Sequence, residues 1–398
     1  MVQSAMQKRF LAVLLMMAMT LCIFAVPASA AENLASGGTA RIVLPQIDVP
    51  CRNAVLISLD TGEVLYEKEA EAEVPVASIT KVMTLLLTLE AVESGKIAWT
   101  DIVPISIHAY EMGGSQIWLE PGEQFTLDEL VKAICVCSAN DAAVAVAEFV
   151  GGSEPVFAEM MNARAKELGM THSHFVNACG LDEPNHYSSA RDVALMSQAL
   201  LRHPKILEYS GIWMDSLRGG ATQLTNTNKL LKSYTGITGL KTGTTSLAGV
   251  CISASAVRDG MGLLAVVLGA ASGKERFLSA TTLLDYGFAT YEIAAFPLLA
   301  QAPQQLAVTH GITQAAQLDY AIPQKILMRK GEGKALQAIA ELPQALAAPI
   351  AQGTEIGTVT LSLDATPLAT YPIVVKNEIF KIDFKGALSL LTKALLSL

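Results

Sequence analysis

The sequence predicts an α+β protein, and three observations carry that reading. A strand hairpin pattern occupies 54–67, a long helix-rich stretch follows it, and two more strands near 250 and 263 lead into a closing helix at 276–288. Ala54-Val55-Leu56-Ile57-Ser58-Leu59 reads as a strand, Asp60-Thr61-Gly62-Glu63 as its turn and Val64-Leu65-Tyr66-Glu67 as the return strand. After Val74-Pro75-Val76-Ala77-Ser78 an apolar helix runs to about Gly95. The stretch 127–150 holds two helices broken near Ser138-Ala139-Asn140, and 157–168 and 190–201 are further helices. Val250-Cys251-Ile252-Ser253-Ala254 and Leu263-Leu264-Ala265-Val266-Val267-Leu268 are near-continuous apolar runs, as expected of strands covered on both faces.

The ends of the chain differ from this body. Lys8 and Arg9 precede an apolar run at 10–26, and Pro27 with Ala28-Ser29-Ala30 closes it as a small-residue cleavage site. Residues 1–30 are therefore expected to be a signal peptide and the mature protein to be exported. Cys22 is not read as a lipid-attachment site, because Leu21 precedes it where a small residue is needed. Residues 31–296 form the body. From Phe296-Pro297 the chain turns rich in Gln, Ala and Pro, and Gly357-Thr358-Val359-Thr360-Leu361-Ser362-Leu363 alternates polar with apolar residues. Residues 297–377 are expected to be a small β-rich domain. In 378–398, Phe380, Phe384, Leu388, Leu391, Leu395 and Leu398 share one helical stripe, with Lys385, Ser389 and Lys393 opposite and Leu396 on the polar side. That pattern suits a helix lying in a membrane surface.

Composition excludes some functions. Half of the chain is apolar, enough for a large core. The formal charge of −9 becomes −11 once Lys8 and Arg9 are removed, which disfavours nucleic acid as a partner. Any anionic substrate group must be held by local cations. Five cysteines remain in the mature chain, Cys51, Cys135, Cys137, Cys179 and Cys251, and they read as buried thiols. His172-Ser173-His174 lacks further ligands at metal-binding spacing, so no metal or other cofactor is expected. His186 is not accompanied by the Gly-x-Ser-x-Gly turn of a Ser-His-Asp hydrolase.

Three short motifs carry the chemistry: Ser78-Ile79-Thr80-Lys81, Ser138-Ala139-Asn140 and Lys241-Thr242-Gly243. Ser78 and Lys81 share a helix face, with Ser78 at the end where backbone N–H groups favour negative charge. A serine hydroxyl needs a base, and lysine serves once burial and a second cation lower its pKa. The apolar residues after Lys81 supply the burial, and Lys241 the second cation. Ser138 and Asn140 interrupt apolar helices, where polar side chains are costly to bury without a task. They suit a proton relay and an orienting amide, and also a helix cap. Lys241 and Thr242 suit a substrate carboxylate at an edge strand, and Gly243 permits close approach of the substrate backbone. The N–H groups of Ser78 and Thr244 suit an oxyanion hole.

With these motifs, the chain resembles the serine D-alanyl-D-alanine carboxypeptidases, the low-molecular-mass penicillin-binding proteins of the peptidase S11 type. The resemblance extends to Met112-Gly113-Gly114-Ser115-Gln116, Leu119-Glu120-Pro121-Gly122, Asn177-Ala178-Cys179-Gly180-Leu181-Asp182, His186-Tyr187-Ser188-Ser189-Ala190, Asn226-Thr227-Asn228-Lys229-Leu230-Leu231 and Leu283-Leu284-Asp285-Tyr286-Gly287-Phe288. It implies a β-lactamase or penicillin-binding transpeptidase-like catalytic domain, a small β-rich C-terminal domain and an amphipathic anchor on the outer face of the cytoplasmic membrane. It implies that Ser78 forms an acyl-enzyme with peptidoglycan stem peptides, releasing the terminal D-alanine, and that β-lactams acylate it covalently. Lys81 is then the base, Ser138 and Asn140 the relay and orienting pair, and Lys241 with Thr242 the carboxylate site. Thr244 stands where some members carry His. Two alternatives share the motifs: a β-lactamase, for which no Glu-x-x-x-Asn segment lies between Asn140 and Lys241, and a catalytically silent peptidoglycan-binding protein.

Overall fold

The computed structural model describes residues 46–297, 302–384, 386–388, 392 and 396. The expected signal peptide at 1–30 lies outside the described residues, as do Lys385, Ser389, Leu391, Lys393, Leu395 and Leu398 of the expected C-terminal helix.

The chain opens with β1 (Asn53–Ser58) and β2 (Val64–Lys68), the expected hairpin. A single-turn 3-10 helix, Ala77–Thr80, runs into α1 (Lys81–Glu93). Helices α2 (Leu127–Val136), α3 (Asn140–Gly151), α4 (Glu154–Glu167) and α5 (Ala190–Leu201) make the helical insert. The chain then returns to the sheet as β3 (Ile237–Thr245), β4 (Gly249–Arg258) and β5 (Met261–Ala270), followed by α6 (Gly273–Thr290). The sheet order is β2-β1-β5-β4-β3 and every pairing is antiparallel, so first and last strands of this region meet in the middle.

Both faces of this sheet are covered, which is why its central strands read as unbroken apolar runs. Side chains alternate between faces with the strand period of two. Ala54, Leu56, Leu263, Ala265 and Val267 pack with Leu283, Leu284 and Phe288 of α6. Val55, Ile57, Leu264, Val266 and Leu268 pack with α1 and the helical insert, among them Leu85, Leu86, Val193 and Met196. Helix α1 is buried on every side from Lys81 through Leu89, as a central helix must be. At one edge of the sheet, β3 borders the serine turn and the break between α2 and α3.

The C-terminal part is β-rich. Strands β6 (Tyr291–Ala295), β7 (Gln305–Thr309), β8 (Ala315–Tyr320), β9 (Lys325–Arg329), β10 (Leu336–Glu341), β11 (Ala345–Ala347), β12 (Glu355–Leu363) and β13 (Thr366–Val375) follow in turn. Six of them form one sheet in the order β10-β12-β13-β8-β7-β11, and β6 pairs with β9. That last pairing crosses the boundary expected at 296/297, because β6 follows directly from α6 while its partner lies beyond it. The segment expected to begin the amphipathic helix at 378 instead opens with sheet-like pairing. Ile379 bridges Ile350, Lys381 bridges Gly311, and the Ile382 N–H donates to the His310 carbonyl at 2.8 Å. Helical turn begins at Phe384, and Phe380, Phe384, Leu388 and Leu396 are exposed. No helix among the described residues is long and apolar enough to cross a membrane.

Candidate active site

The site is built where three chain segments meet. Ala77 has φ +51°, a sharp turn that delivers Ser78 onto the 3-10 helix. In a 3-10 turn residues i and i+3 eclipse, so the Lys81 side chain stacks over Ser78 more directly than an α-helix would place it. Lys81 Nζ donates to Ser78 Oγ at 2.9 Å, to Asn140 Oδ1 at 2.6 Å and to the Cys179 carbonyl at 2.6 Å. Its side chain has no exposure to solvent, and that burial brings its pKa down to about 8.

The second segment is the break between α2 and α3. Ser138 has φ +64°, which ends one helix and starts the next. Helix α2 is fixed at its start by a reciprocal cap between Thr126 and Glu129. Asn140 opens α3, its amide donating to the Gly113 carbonyl at 2.7 Å and its backbone N–H to the Ser115 carbonyl at 2.7 Å. The cap alternative for these residues is not realised: the residue at the N-cap is Ala139, with no side-chain bond to the helix end. Neither polar side chain caps the helix: Ser138 Oγ accepts from Lys241 and Asn140 Oδ1 from Lys81.

The third segment is β3. Lys241 Nζ donates to Ser138 Oγ at 2.8 Å and to the Thr242 carbonyl at 2.9 Å. Burial, then the positive charge of Lys81, lowers its pKa to about 7. Thr242 Oγ1 donates to Thr227 Oγ1 at 2.7 Å, and Thr244 Oγ1 to the Gly243 carbonyl at 2.8 Å. At Gly243 a Cβ would lie 2.9 Å from Ser78 N and 3.0 Å from the Val76 carbonyl oxygen. Glycine is therefore required for the strand to touch the serine turn.

Every predicted site residue is thus in one cleft: Ser78, Lys81, Ser138, Asn140, Lys241, Thr242, Gly243 and Thr244. Several contributors carried no motif of their own chemistry. The Cys179 carbonyl is a backbone group, invisible to residue type. Gly180, at φ +85°, lets its segment press against the serine turn, since a Cβ there would lie 2.0 Å from the Ala77 carbonyl oxygen. Thr84 Oγ1 donates to the Ala178 carbonyl and Thr245 Oγ1 to Asp182, tying the same segment to α1 and β3. Buried Arg276 donates to the Gly243 and Cys251 carbonyls at 3.4 and 3.3 Å. The rival groups are otherwise engaged. His186 accepts from the Val176 N–H and bonds Thr80 Oγ1, with burial lowering its pKa to about 4. His174 bonds the Asn185 carbonyl. No cluster of His, Cys, Asp or Glu among the described residues is placed to hold a metal. All five described cysteines are unpaired thiols, and Cys135, Cys179 and Cys251 are buried.

Comparison with known proteins gives the family. The profile of the peptidase S11 family, described as D-alanyl-D-alanine carboxypeptidase, matches residues 40–272, and that of the penicillin-binding protein 5 C-terminal domain matches 307–381. The chain is 42% identical to the D-alanyl-D-alanine carboxypeptidase DacF of Bacillus subtilis (strain 168), over 84% of this chain and 87% of that one. The crystal structure of penicillin-binding protein 5 from Haemophilus influenzae superposes with a TM-score of 0.76 at 31% identity, covering 85% of this chain and all of that one. Penicillin-binding protein D2 from Listeria monocytogenes, in its ampicillin-bound form, superposes with a TM-score of 0.56 at 33% identity, covering 61% of this chain and all of that one. With a family match over more than half of its length, the chain belongs to the peptidase S11 family of D-alanyl-D-alanine carboxypeptidases and is a hydrolase of that class.

Proposed function

We propose that the protein removes the terminal D-alanine of peptidoglycan pentapeptide stems through an acyl-enzyme on Ser78. The observation that carries this reading is the fully buried Lys81, whose amine lies 2.9 Å from Ser78 Oγ. Two further acceptors, the Asn140 and Cys179 carbonyl oxygens, occupy two of its three hydrogen positions. When Lys81 loses a proton, those two bonds keep its remaining hydrogens and the lone pair faces the serine hydroxyl.

Lys241 sets when that happens. Two lysines buried in one cleft repel, so the pair sheds its first proton well below the usual range of an amine. A substrate carboxylate beside Lys241 and Thr242 draws the remaining charge onto Lys241 and leaves Lys81 neutral. Ser78 Oγ then attacks the carbonyl carbon of the penultimate D-alanine as its proton passes to Lys81. The tetrahedral oxyanion is held by the Ser78 and Thr244 N–H groups. The C–N bond breaks and the leaving amine takes a proton through Ser138, freeing D-alanine. Water then attacks the ester, releasing the shortened stem as a carboxylate and restoring Ser78. β-Lactams present the same carboxylate and carbonyl, and acylate Ser78 covalently; the ampicillin-bound form of the Listeria relative supports this.

Export after cleavage at Ala30, and attachment to the outer face of the cytoplasmic membrane, complete the reading. Exposed Phe384 and Leu388, with exposed Phe380 just before them, support a C-terminal helix that lies in the membrane surface. The test is D-alanine release from a pentapeptide ending in D-alanyl-D-alanine. Ser78→Ala should lose about 10⁴-fold or more in kcat/KM with its thermal transition unchanged. Residual release near the wild-type rate would exclude Ser78 as nucleophile.

A further inference from the structure

Trp118 stands on the surface, 72% exposed, with its backbone at φ +53°. A bulky residue in the left-handed region is strained, and such strain persists only where the surroundings fix it. Here they do. The flanking N–H groups of Ile117 and Leu119 both donate to the buried Asp141 carboxylate at 3.1 Å. Arg218 donates to the Ile117 and Trp118 carbonyls at 2.8 and 2.9 Å. Ile117 and Leu119 are buried on either side, so the indole is held outward on a rigid mount. A glycine would adopt this backbone at no cost. The same loop is part of the active-site wall, since the Gly113 and Ser115 carbonyls hold Asn140.

Beside the indole lies a groove of about 420 Å³ bounded by Trp118, Glu120, Glu123, Arg218, Thr222 and Gln223 among others. Its only cation among the lining residues is fully committed. Arg218 spends Nε and one Nη2 hydrogen on Glu123, its Nη1 hydrogens on Ile117 and Thr222, and its last on Trp118. No donor of that guanidinium remains for a carboxylate ligand. What the groove offers is a flat aromatic face and hydrogen-bonding side chains of carboxylate, amide and hydroxyl type. That combination suits a neutral ring with one C–H face and hydroxyls at its edge.

We infer that Trp118 and this groove form a saccharide subsite that holds the glycan part of peptidoglycan while its stem peptide lies in the cleft. The inference rests on the proposed substrate and extends it. It makes the protein a discriminator between stems still joined to glycan and free peptides.

The experiment is equilibrium binding of peptide-free glycan oligosaccharides from peptidoglycan to the full mature chain. Wild type is compared with Trp118→Gly, which keeps the backbone conformation, and Trp118→Phe, which keeps an aromatic face. In parallel, KM and kcat are measured for D-alanine release from a disaccharide-bearing pentapeptide and from the same pentapeptide without sugar. Trp118→Gly should weaken saccharide binding about tenfold or more, and Trp118→Phe should recover most of it. The KM ratio between sugar-bearing and sugar-free substrates should rise by a similar factor in Trp118→Gly, with the kcat ratio constant. No saccharide binding by the wild type, equal binding by Trp118→Gly, or equal KM loss on both substrates would overturn the subsite. Failure of the Ser78 mechanism reads out separately, as absent turnover with saccharide binding intact.

Discussion

The sheet-and-helix region and the C-terminal β region fold under opposite electrostatic constraints. Among the described residues, every buried charged, amide or aliphatic hydroxyl side chain lies before residue 280, and the buried phenols of Tyr291 and Tyr371 are the polar groups beyond it. Lys81, Lys241, Asp141 and Arg276 are all there, each under 9% exposed. The C-terminal sheet has an apolar interior built from residues such as Val359, Leu361, Ile373 and Val375, and its strands alternate inward apolar with outward polar positions. Burying unpaired charge costs stability, and a fold keeps such groups only where they are paired or used. The difference teaches where to look for chemistry: the first region bears a load of buried charge that the second lacks, and that load surrounds Ser78.

Breaking that load should separate activity from stability. Replacing Lys81 with Met removes the amine beside Ser78 and should lower acylation by benzylpenicillin about 10³-fold, measured by stopped-flow or mass spectrometry. A variant that acylates at the wild-type rate would take Lys81 out of the mechanism. The same pair of lysines sets the pH dependence. Below about 7 both are charged and Lys81 cannot accept a proton; between about 7 and 8 the pair holds one proton, which a bound carboxylate draws onto Lys241; above about 8 both are neutral and Lys241 no longer holds a carboxylate. The kcat/KM profile for D-alanine release should therefore be bell-shaped with limbs near those values. A profile flat across that window would contradict the shared-proton account.

Lys241→Met sharpens the comparison, because it should lower kcat/KM about 100-fold while raising the thermal transition by a few degrees. The sign follows from linkage. The folded pKa is about 7 against a reference of 10.5, so below about 7 the full cost of a buried charge is present, and it is relieved as pH rises towards 10.5. The gain in transition temperature should thus be larger near pH 6 than near pH 9, and calorimetry at both checks it. In the C-terminal sheet the reverse holds. Ile373→Ala, at a position with no exposure, should cost about 3 kcal/mol in local stability and leave the acylation rate unchanged. The smallest effect on catalysis is expected from ending the chain after Asp383. That cut spares the pairings of 379–382 and should release the protein from membranes in a flotation assay without loss of turnover; continued flotation would place the anchor elsewhere.

What the sequence made legible follows from which interactions are local. Ser78 and Lys81 are three apart on one turn, so their meeting could be read directly, and the helix break at 138–140 stood out because polar residues interrupt an apolar run. The edge position of Lys241 followed from its place before two fully buried strands. Long-range backbone contacts left no such trace. The acceptance of Lys81 by the Cys179 carbonyl, the pressing of Gly243 against the serine turn, and the pairing of Ile379 with Ile350 depend on how distant segments pack. Trp118 was also silent, because a left-handed backbone at a bulky residue arises from Asp141 and Arg218, not from local propensity.

The most direct test of the central claim is the intact mass of the mature protein after incubation with benzylpenicillin, followed over time and mapped by peptide. The account predicts one stoichiometric adduct on Ser78 that decays slowly and is missing from Ser78→Ala. No adduct with the drug intact, an adduct on another residue, or rapid conversion of the drug to its hydrolysed acid would contradict it.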